Sequence, residues 1–289
     1  MSDREGLARV FAEARRTQTA VPGLVVTEFC EAEAIIEART AAREPLLFVV
    51  PCARRNLRAY VGALRSFDAP DLFVQLMGDD VDVLVEAGLE LGADAVFLTA
   101  GKIEAARALL AKLKGGPMFT EVLLPWQQAA PSQMSEGRIV RVEEAEAVLR
   151  LEGLDMAAVP VGGGPGPYKT CRIPLWSTEA FNRVAALRPD LHYSLPWGSL
   201  LPKDLLKKYN LYGGALPGVI SLPKQQFRAF IAGGAVKIGF RSDLGLAFLC
   251  GLRESLYRRP EKIDPTVHLE AAREELAVFL AQRFRDLRP

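Results

Sequence analysis

Metal-binding side chains are scarce in this sequence. Its 289 residues include only two histidines, His192 and His268, so three imidazoles cannot meet within one chain to build a metal site. His192 falls in an apolar stretch, where we expect a hydrogen-bonded core residue. The four cysteines are far apart, form no Cys-x-x-Cys pair, and are expected to be buried free thiols. They are Cys30, Cys52, Cys171 and Cys250.

An excess of charge of one sign is also missing. The 36 basic residues almost balance the 35 acidic ones, so we expect neither nucleic acid nor an anionic membrane surface as a partner. No run of about 18 uncharged apolar residues could span a bilayer. The charged start, "MSDREGLARVFAEARR", lacks the apolar core of a signal peptide. We therefore expect a cytoplasmic protein.

Short apolar runs do recur, and each is followed by a segment with helical spacing of apolar residues. This alternation is typical of βα units around a parallel sheet. The expected strands are 23–28, 46–51, 72–77, 95–100, 118–124, 156–161, 191–195 and 235–240. Eight units predict an α/β fold, a single (β/α)8 TIM barrel that fills residues 1–289 as one domain.

Two features are expected around the predicted helices. Asp79 and Asp80 precede the helical segment "VDVLVEAGLEL", where they should cap the helix and not serve as catalytic carboxylates. The last segment, "DPTVHLEAAREELAVFLAQRFRDL", predicts a long C-terminal amphipathic helix. It could pack on the barrel or on a partner subunit.

Two predicted strands end alike, with "LLPW" at 123–126 and "SLPW" at 194–197. The carboxyl ends of the strands are where barrel enzymes keep their active sites. Trp126 and Trp197 could fill a void there and exclude water, or they could stack on a ring-shaped ligand. The sequence leaves both interpretations open.

Several motifs in consistent order resemble one known family. They are "AVPGLVVTEFCEAEAIIEA" near the start, "GGGPGPYKT" at 162–170, and "KKYNLYGGALPGVISLPKQQFRAFIAGGAVKIGFRSDLGLAF" in the last third. Together they resemble the class II, metal-dependent fructose-bisphosphate aldolases over almost the whole chain. The resemblance implies a TIM barrel. It also implies chemistry in which a divalent ion stabilises an enediolate while a carboxylate moves protons.

The residues at the family's metal site, however, are replaced. The resemblance implies that a catalytic Asp and a His ligand would stand after the third strand, a residue tied to the metal after the fifth, and His ligands after the sixth and seventh. In this sequence those positions hold Met77, Gly78, Leu123, Pro165 and Pro196. None of these side chains offers an imidazole or a carboxylate. We therefore expect the metal site to be lost and no zinc cofactor to bind.

Part of the family's phosphate handling persists. By resemblance, the phosphate-binding candidates are Gly198, Ser199, Arg241, Ser242 and Asp243. An arginine and a serine suit an anion, although Arg241 could equally be a solvated residue paired with Asp243. Gly239 replaces the family's substrate-binding Asn.

These observations favour a barrel that has lost metal-dependent catalysis and acts as a binding or interaction protein, with a phosphorylated small molecule as the expected ligand. One alternative is a metal-free lyase or aldolase on a ketose phosphate, with Lys169 as base or Schiff-base amine, although Lys169 could also form a structural salt bridge. Another is a non-catalytic partner subunit of an active, paralogous aldolase. From the resemblance we also expect a homo-oligomer.

Overall fold

The protein is a closed barrel of eight parallel strands with helices between them. The computed structural model describes residues 3–42, 44–67, 69, 71–128, 137–162, 176–199, 201–216, 222 and 224–288. In chain order the strands are β1 (Val21–Val25), β2 (Leu46–Pro51), β3 (Leu72–Gly78), β4 (Ala95–Leu98), β5 (Phe119–Leu123), β6 (Trp126–Gln128), β7 (Arg138–Val140), β8 (Met156–Ala158), β9 (His192–Leu195) and β10 (Ala235–Phe240). Around the barrel the order is β1, β10, β9, β8, β5, β4, β3, β2. The predicted TIM barrel is confirmed.

Apart from α1, the helices lie in the segments that the periodicity indicated. They are α1 (Arg4–Thr17), α2 (Phe29–Ala42), α3 (Leu57–Arg65), α4 (Val81–Leu91), α5 (Ile103–Lys112), α6 (Val142–Leu149), α7 (Thr178–Leu187), α8 (Lys203–Leu211), α9 (Lys224–Ala232), α10 (Ser242–Arg258) and α11 (Pro265–Asp286). Asp80 caps α4 as predicted, since its carboxylate accepts from the amides of Asp82 and Val83. Among the described helices, none has the length and apolarity needed to cross a bilayer.

Each barrel strand is buried on both faces, which explains its continuous apolar sequence. In β2, Leu47 and Val49 belong to the apolar interior of the barrel. Leu46, Phe48 and Val50 point the other way and pack under the helices. Because successive residues of a strand face opposite sides, both sets must be apolar.

Helix α1, which the periodicity did not predict, covers the amino-terminal end of the barrel. Its buried face includes Leu7 and Phe11, and the Phe11 ring lies 5.2 Å from the ring of Phe119 on β5. The helix starts at a capping residue, Asp3, whose side chain accepts from the amide of Gly6 at 2.8 Å. Aromatic and aliphatic side chains therefore close this end of the barrel.

The long terminal helix α11 lies on the barrel, against α10 and α2. It begins after Asp264, which caps it through the amide of Thr266. Gly251 on α10 allows close approach, because a Cβ atom there would lie 2.3 Å from the carbonyl oxygen of Ala271. Packing on the barrel is thus the alternative that the structure supports.

Among the described cysteines, Cys30, Cys52 and Cys250 are free thiols. Only Cys250 is buried, whereas Cys30 and Cys52 are partly exposed, so full burial was predicted wrongly for these two. Cys52 follows β2 at the carboxyl end of the barrel, where burial raises the pKa of its thiol to about 11. Cys171 lies outside the described residues.

Candidate functional site at the carboxyl end of the barrel

Apolar side chains pack together where the strands end. Phe97, Leu123 and Ala158, at or near the ends of β4, β5 and β8, are buried with exposed fractions of 4% or less. Three partly buried side chains pack on them. The mouth cluster, as we call this set, consists of Met77, Phe97, Leu123, Trp126, Ala158 and Trp197. It is an apolar surface at the position where barrel enzymes carry their polar catalytic groups.

The positions expected to have lost metal ligands fall on or beside this cluster. Met77 and Leu123 are members of it, and Pro196 immediately precedes Trp197. Gly78 ends β3, and Pro165 lies outside the described residues. In the part of the chain that the structure describes, no group of three or more His, Cys, Asp or Glu side chains could hold a metal ion. The donor set described at this end of the barrel does not fit a divalent cation.

Inside the barrel lies a buried polar layer formed by Gln75, Glu121, Ser194 and Lys237. The ammonium of Lys237 forms an ion pair with Glu121 Oε2 and donates to Gln75 Oε1 at 2.7 Å. Gln75 Nε2 donates to the same Glu121 oxygen at 2.7 Å, and Ser194 Oγ donates to Glu121 Oε1 at 2.5 Å. Both oxygens of the Glu121 carboxylate therefore accept hydrogen bonds.

The polar layer follows from the geometry of the barrel. Gln75, Glu121 and Ser194 come from alternate barrel strands, which together form one interior layer in this fold. The fourth strand of that set contributes Gly23, whose missing side chain leaves room for Lys237. A Cβ atom on Gly23 would lie 2.6 Å from Lys237 Cε.

Burial lowers the pKa of Lys237 below its ordinary value, and the neighbouring carboxylate of Glu121 opposes this shift. The ammonium also lies 5.0 Å from the centre of the Phe97 ring, which belongs to the mouth cluster. Lys237 is 3% exposed. The geometry therefore describes a sealed structural ion pair and not an amine open to a substrate.

Sequence reasoning did not identify this layer. The available signal was a polar residue inside an otherwise apolar strand, namely Gln75 in "LFVQLM" and Lys237 in "AVKIGF". A polar side chain in a strand buried on both faces needs a buried partner. That requirement could have indicated that these residues meet inside the barrel.

The polar groups of the expected phosphate-binding loop already form hydrogen bonds within the protein. The amide of Gly198 donates to the carbonyl of Gly239 at 2.8 Å, and Ser199 Oγ donates to Asp243 Oδ1 at 2.8 Å. Ser199 and Asp243 are both buried. The structure thus brings these predicted residues together, but in bonds that tie the segment after β9 to the start of α10.

The cationic candidates of the prediction lie elsewhere. Arg241 is exposed in the residue before α10, and Ser242 is the first residue of that helix. Lys169 lies outside the described residues. The arginine and the lysine named from the sequence therefore do not define a described cation pocket.

The two tryptophans meet around an arginine that the sequence did not single out. The guanidinium carbon of Arg138, on β7, lies 4.1 Å from the centre of the Trp126 ring and 5.1 Å from that of Trp197. Cation–π contacts of this kind attract the guanidinium to the indole rings. The backbone of Gly101 approaches Trp126 so closely that a Cβ atom would lie 2.9 Å from the indole nitrogen.

Neither histidine belongs to the mouth. His192 starts β9 at the amino-terminal end, with its ring 6.0 Å from Phe11 and 6.2 Å from Phe119. Burial lowers its pKa to about 4, helped by Arg15 and opposed by Asp155. Its Nδ1 atom has no hydrogen-bond partner among the described residues. The prediction that His192 is a hydrogen-bonded core residue was therefore wrong for this atom. His268, on α11, bonds Ser255 Oγ at 2.9 Å.

Comparison with known proteins gives fructose-bisphosphate aldolases among the relatives in sequence. No family model matches the chain. A fructose-bisphosphate aldolase from Nostoc commune is 29% identical over 146 residues, which is 50% of this chain and 41% of the relative. One from Giardia intestinalis is 22% identical over 300 residues, 96% of this chain and 91% of the relative. A class 2 fructose-bisphosphate aldolase from Synechocystis is 26% identical over 146 residues, 50% of this chain and 41% of the relative. The chain thus matches less than half of the length of the first of these relatives.

Solved structures agree on the fold. A Coccidioides immitis protein, provisionally described as a fructose-1,6-biphosphate aldolase, superposes with a TM-score of 0.74 and 18% identity over 96% of this chain and 94% of its own. The YdjI aldolase from Escherichia coli superposes with a TM-score of 0.71 and 13% identity, over 99% of this chain and 97% of its own. These likenesses show the barrel fold, and the relatives in sequence show that the chain is similar to class II fructose-bisphosphate aldolases.

Proposed function

We propose that this protein is a class II aldolase-like barrel that no longer performs metal-dependent aldol cleavage and acts as a binding or interaction protein. One observation carries the proposal. The mouth cluster places the apolar side chains of Met77 and Leu123 where, by resemblance, the family has a catalytic acid and a residue tied to the metal. A thioether inside an apolar cluster and an aliphatic side chain cannot hold zinc or transfer a proton.

The polar layer does not replace the lost chemistry. Glu121 is the acid of the polar layer, and it is fully buried. Its carboxylate accepts from Lys237, Gln75 and Ser194. A carboxylate that is sealed and ion-paired in this way is a poor proton carrier for a substrate outside the cluster. This supports a non-catalytic role.

Zinc content and aldolase activity test this proposal together. The protein should be expressed in zinc-supplemented medium, purified without chelator, and analysed by inductively coupled plasma mass spectrometry. We expect less than about 0.1 zinc per chain, and no cleavage of fructose 1,6-bisphosphate that EDTA abolishes. The Giardia intestinalis relative, prepared in parallel, is the matched control. Stoichiometric zinc together with chelator-sensitive cleavage would refute the proposal.

The metal-free alternative needs a separate experiment. An imine forms when a neutral lysine amine adds to a ketone and water leaves, and borohydride then reduces the imine to a stable secondary amine. We expect no such label after incubation with dihydroxyacetone phosphate and borohydride. A label that peptide mapping assigns to Lys169 would establish the lyase alternative instead.

A further inference from the structure

A cleft opens beside α1 at the amino-terminal end of the barrel, opposite the mouth cluster. Its volume is about 650 Å³, and sites for small molecules measure about 300–1,000 Å³. One wall is the face of α1 that carries Arg9 and Ala14. The other wall lies where the chain enters the first three strands, with Val21 at the start of β1, Pro45 before β2 and Asp71 before β3. The cleft is therefore large enough for a small ligand.

Small aliphatic side chains line the inner part of the cleft. Ala14, Ala20 and Val21 are buried, and Val10 and Pro45 are half-buried. Helix α1 packs mainly on β1, β5 and β10, so the entrances to β2 and β3 face the cleft instead. A ligand that enters meets an apolar surface suited to an aliphatic group.

Two opposite charges on the walls of the cleft are unmatched. Among the described residues, neither the Arg9 guanidinium nor the Asp71 carboxylate has a hydrogen-bond or ion-pair partner. The backbone of Asp71 is fixed, because its carbonyl accepts from the amide of Leu46 at 3.0 Å. By contrast, Glu44 in the same cleft forms an ion pair with Arg288. The cleft thus offers one cation and one anion to a ligand.

The hydroxyl groups of the cleft are available only as acceptors. Thr17 Oγ1 donates to the carbonyl of Glu13 at 2.8 Å. Its contact with Thr19 Oγ1, at 2.9 Å, must therefore have Thr19 as the donor. Each hydroxyl has then used its single proton, and a carboxylate also accepts only. The cleft calls for a ligand that brings N–H donors and one acidic group for the guanidinium.

We propose that this cleft binds a short peptide with free termini, with the peptide's carboxylate on Arg9 and its ammonium on Asp71. A guanidinium holds a carboxylate through two N–H groups, and capture of free peptide termini is a known mode of recognition. A single amino acid carries both charges on one carbon atom, whereas Arg9 and Asp71 lie on opposite walls. The peptide amide then donates to the threonine hydroxyls. The site is remote from the mouth cluster, so the zinc experiment and this inference are decided separately.

Isothermal titration calorimetry with leucyl-leucine as the probe tests the assignment. We expect a dissociation constant below about 1 mM. Arg9→Met and Asp71→Asn should each weaken binding at least about tenfold, because each removes a charged hydrogen-bond partner. Asparagine tolerates the left-handed backbone of residue 71, whose φ is 54°. Arg107→Met and Asp79→Asn, at exposed positions outside the cleft, are the matched controls and should bind within about twofold of the wild type.

Probes with blocked termini assign each end of the peptide. N-acetyl-leucyl-leucine lacks the ammonium, so it should bind the wild type more weakly than leucyl-leucine but lose little further affinity in Asp71→Asn. Leucyl-leucinamide lacks the carboxylate and should behave in the same way with Arg9→Met. Thermal unfolding should be unchanged in all four variants, because these side chains are exposed.

Four outcomes would overturn the assignment. They are no binding of leucyl-leucine at millimolar concentration, equal binding of the blocked and free peptides, binding of leucine as tight as that of the dipeptide, and losses in the control variants as large as those in Arg9→Met and Asp71→Asn.

Discussion

Replacing Lys237 by Met should destabilise the protein strongly, because it leaves the Glu121 carboxylate buried without its counter-ion. Glu121 is 0% exposed and would keep only the neutral donors Gln75 and Ser194. Removing one member of a buried ion pair costs about 3–5 kcal/mol. With a urea m-value of about 3 kcal/mol/M, the unfolding midpoint should fall by about 1–1.7 M.

The double variant Lys237→Met with Glu121→Gln should recover most of this loss. A glutamine in place of Glu121 has no charge to compensate and still offers an acceptor to Ser194. We expect the double variant to be within about 2 kcal/mol of the wild type, so that the two substitutions are coupled by several kcal/mol. Glu121→Gln alone should be costly too, because it leaves an unpaired buried ammonium.

Urea unfolding at pH 7, followed by circular dichroism, measures the free energy of unfolding of the wild type, the two single variants and the double variant. Lys102→Met is the control, since Lys102 is an exposed residue at the start of α5 and should change the stability by less than about 0.5 kcal/mol. The reasoning is refuted if the losses of the two single variants simply add in the double variant. The same holds if Lys237→Met costs no more than Lys102→Met.

Two other predictions concern backbone space and pH. Gly239→Asn, which introduces the residue that the family resemblance implies, should destabilise by about 1–3 kcal/mol because a Cβ atom there would lie 2.5 Å from the carbonyl oxygen of Pro196. Gly62→Ala is the control and should not destabilise the protein, because a Cβ atom there meets nothing within 4 Å. Equal melting temperatures for the two variants would contradict this prediction. His192 has its folded pKa lowered to about 4, so its contribution to stability is present above pH 6.5 and is lost as the pH falls towards 4. Allowing for solvent screening, we expect a loss of about 1–2 kcal/mol that His192→Gln abolishes, measured by melting temperature between pH 4 and 7. Parallel curves for the two proteins would exclude His192 as the titrating group.

The barrel could be predicted because each of its strands is recognisable from its own short stretch of sequence. "LLFVVP" and "AVKIGF" are apolar on both faces, and each is separated from the next by a segment of helical period. The β6–β7 hairpin could not be predicted in the same way. Its strands, "WQQ" and "RIV", have three residues each and depend on backbone bonds to Pro125 and Pro160.

For the candidate site, the sequence predicted only which residues replace those that the family resemblance implies. By resemblance to the class II aldolases, Met77 and Leu123 are predicted to stand where metal chemistry would need other residue types. The sequence does not show that they pack with Trp126 and Trp197, since that contact joins strands far apart in the chain. Arg138 escaped notice for the same reason, because nothing in "GRIVR" indicates that its guanidinium meets an indole that follows β9.

The pairing of β1 with β10 has a consequence for synthesis of the protein. The first strand of the barrel to be synthesised, β1, hydrogen-bonds to the last, β10, so one edge of β1 stays unpaired until residues 235–240 have emerged. Until then the nascent sheet presents two open edges, on β1 and β9, which can recruit strands from other chains. Helix α11 follows later still and crosses back to α2. A stalled or truncated chain should therefore depend on chaperones far more than the finished barrel does.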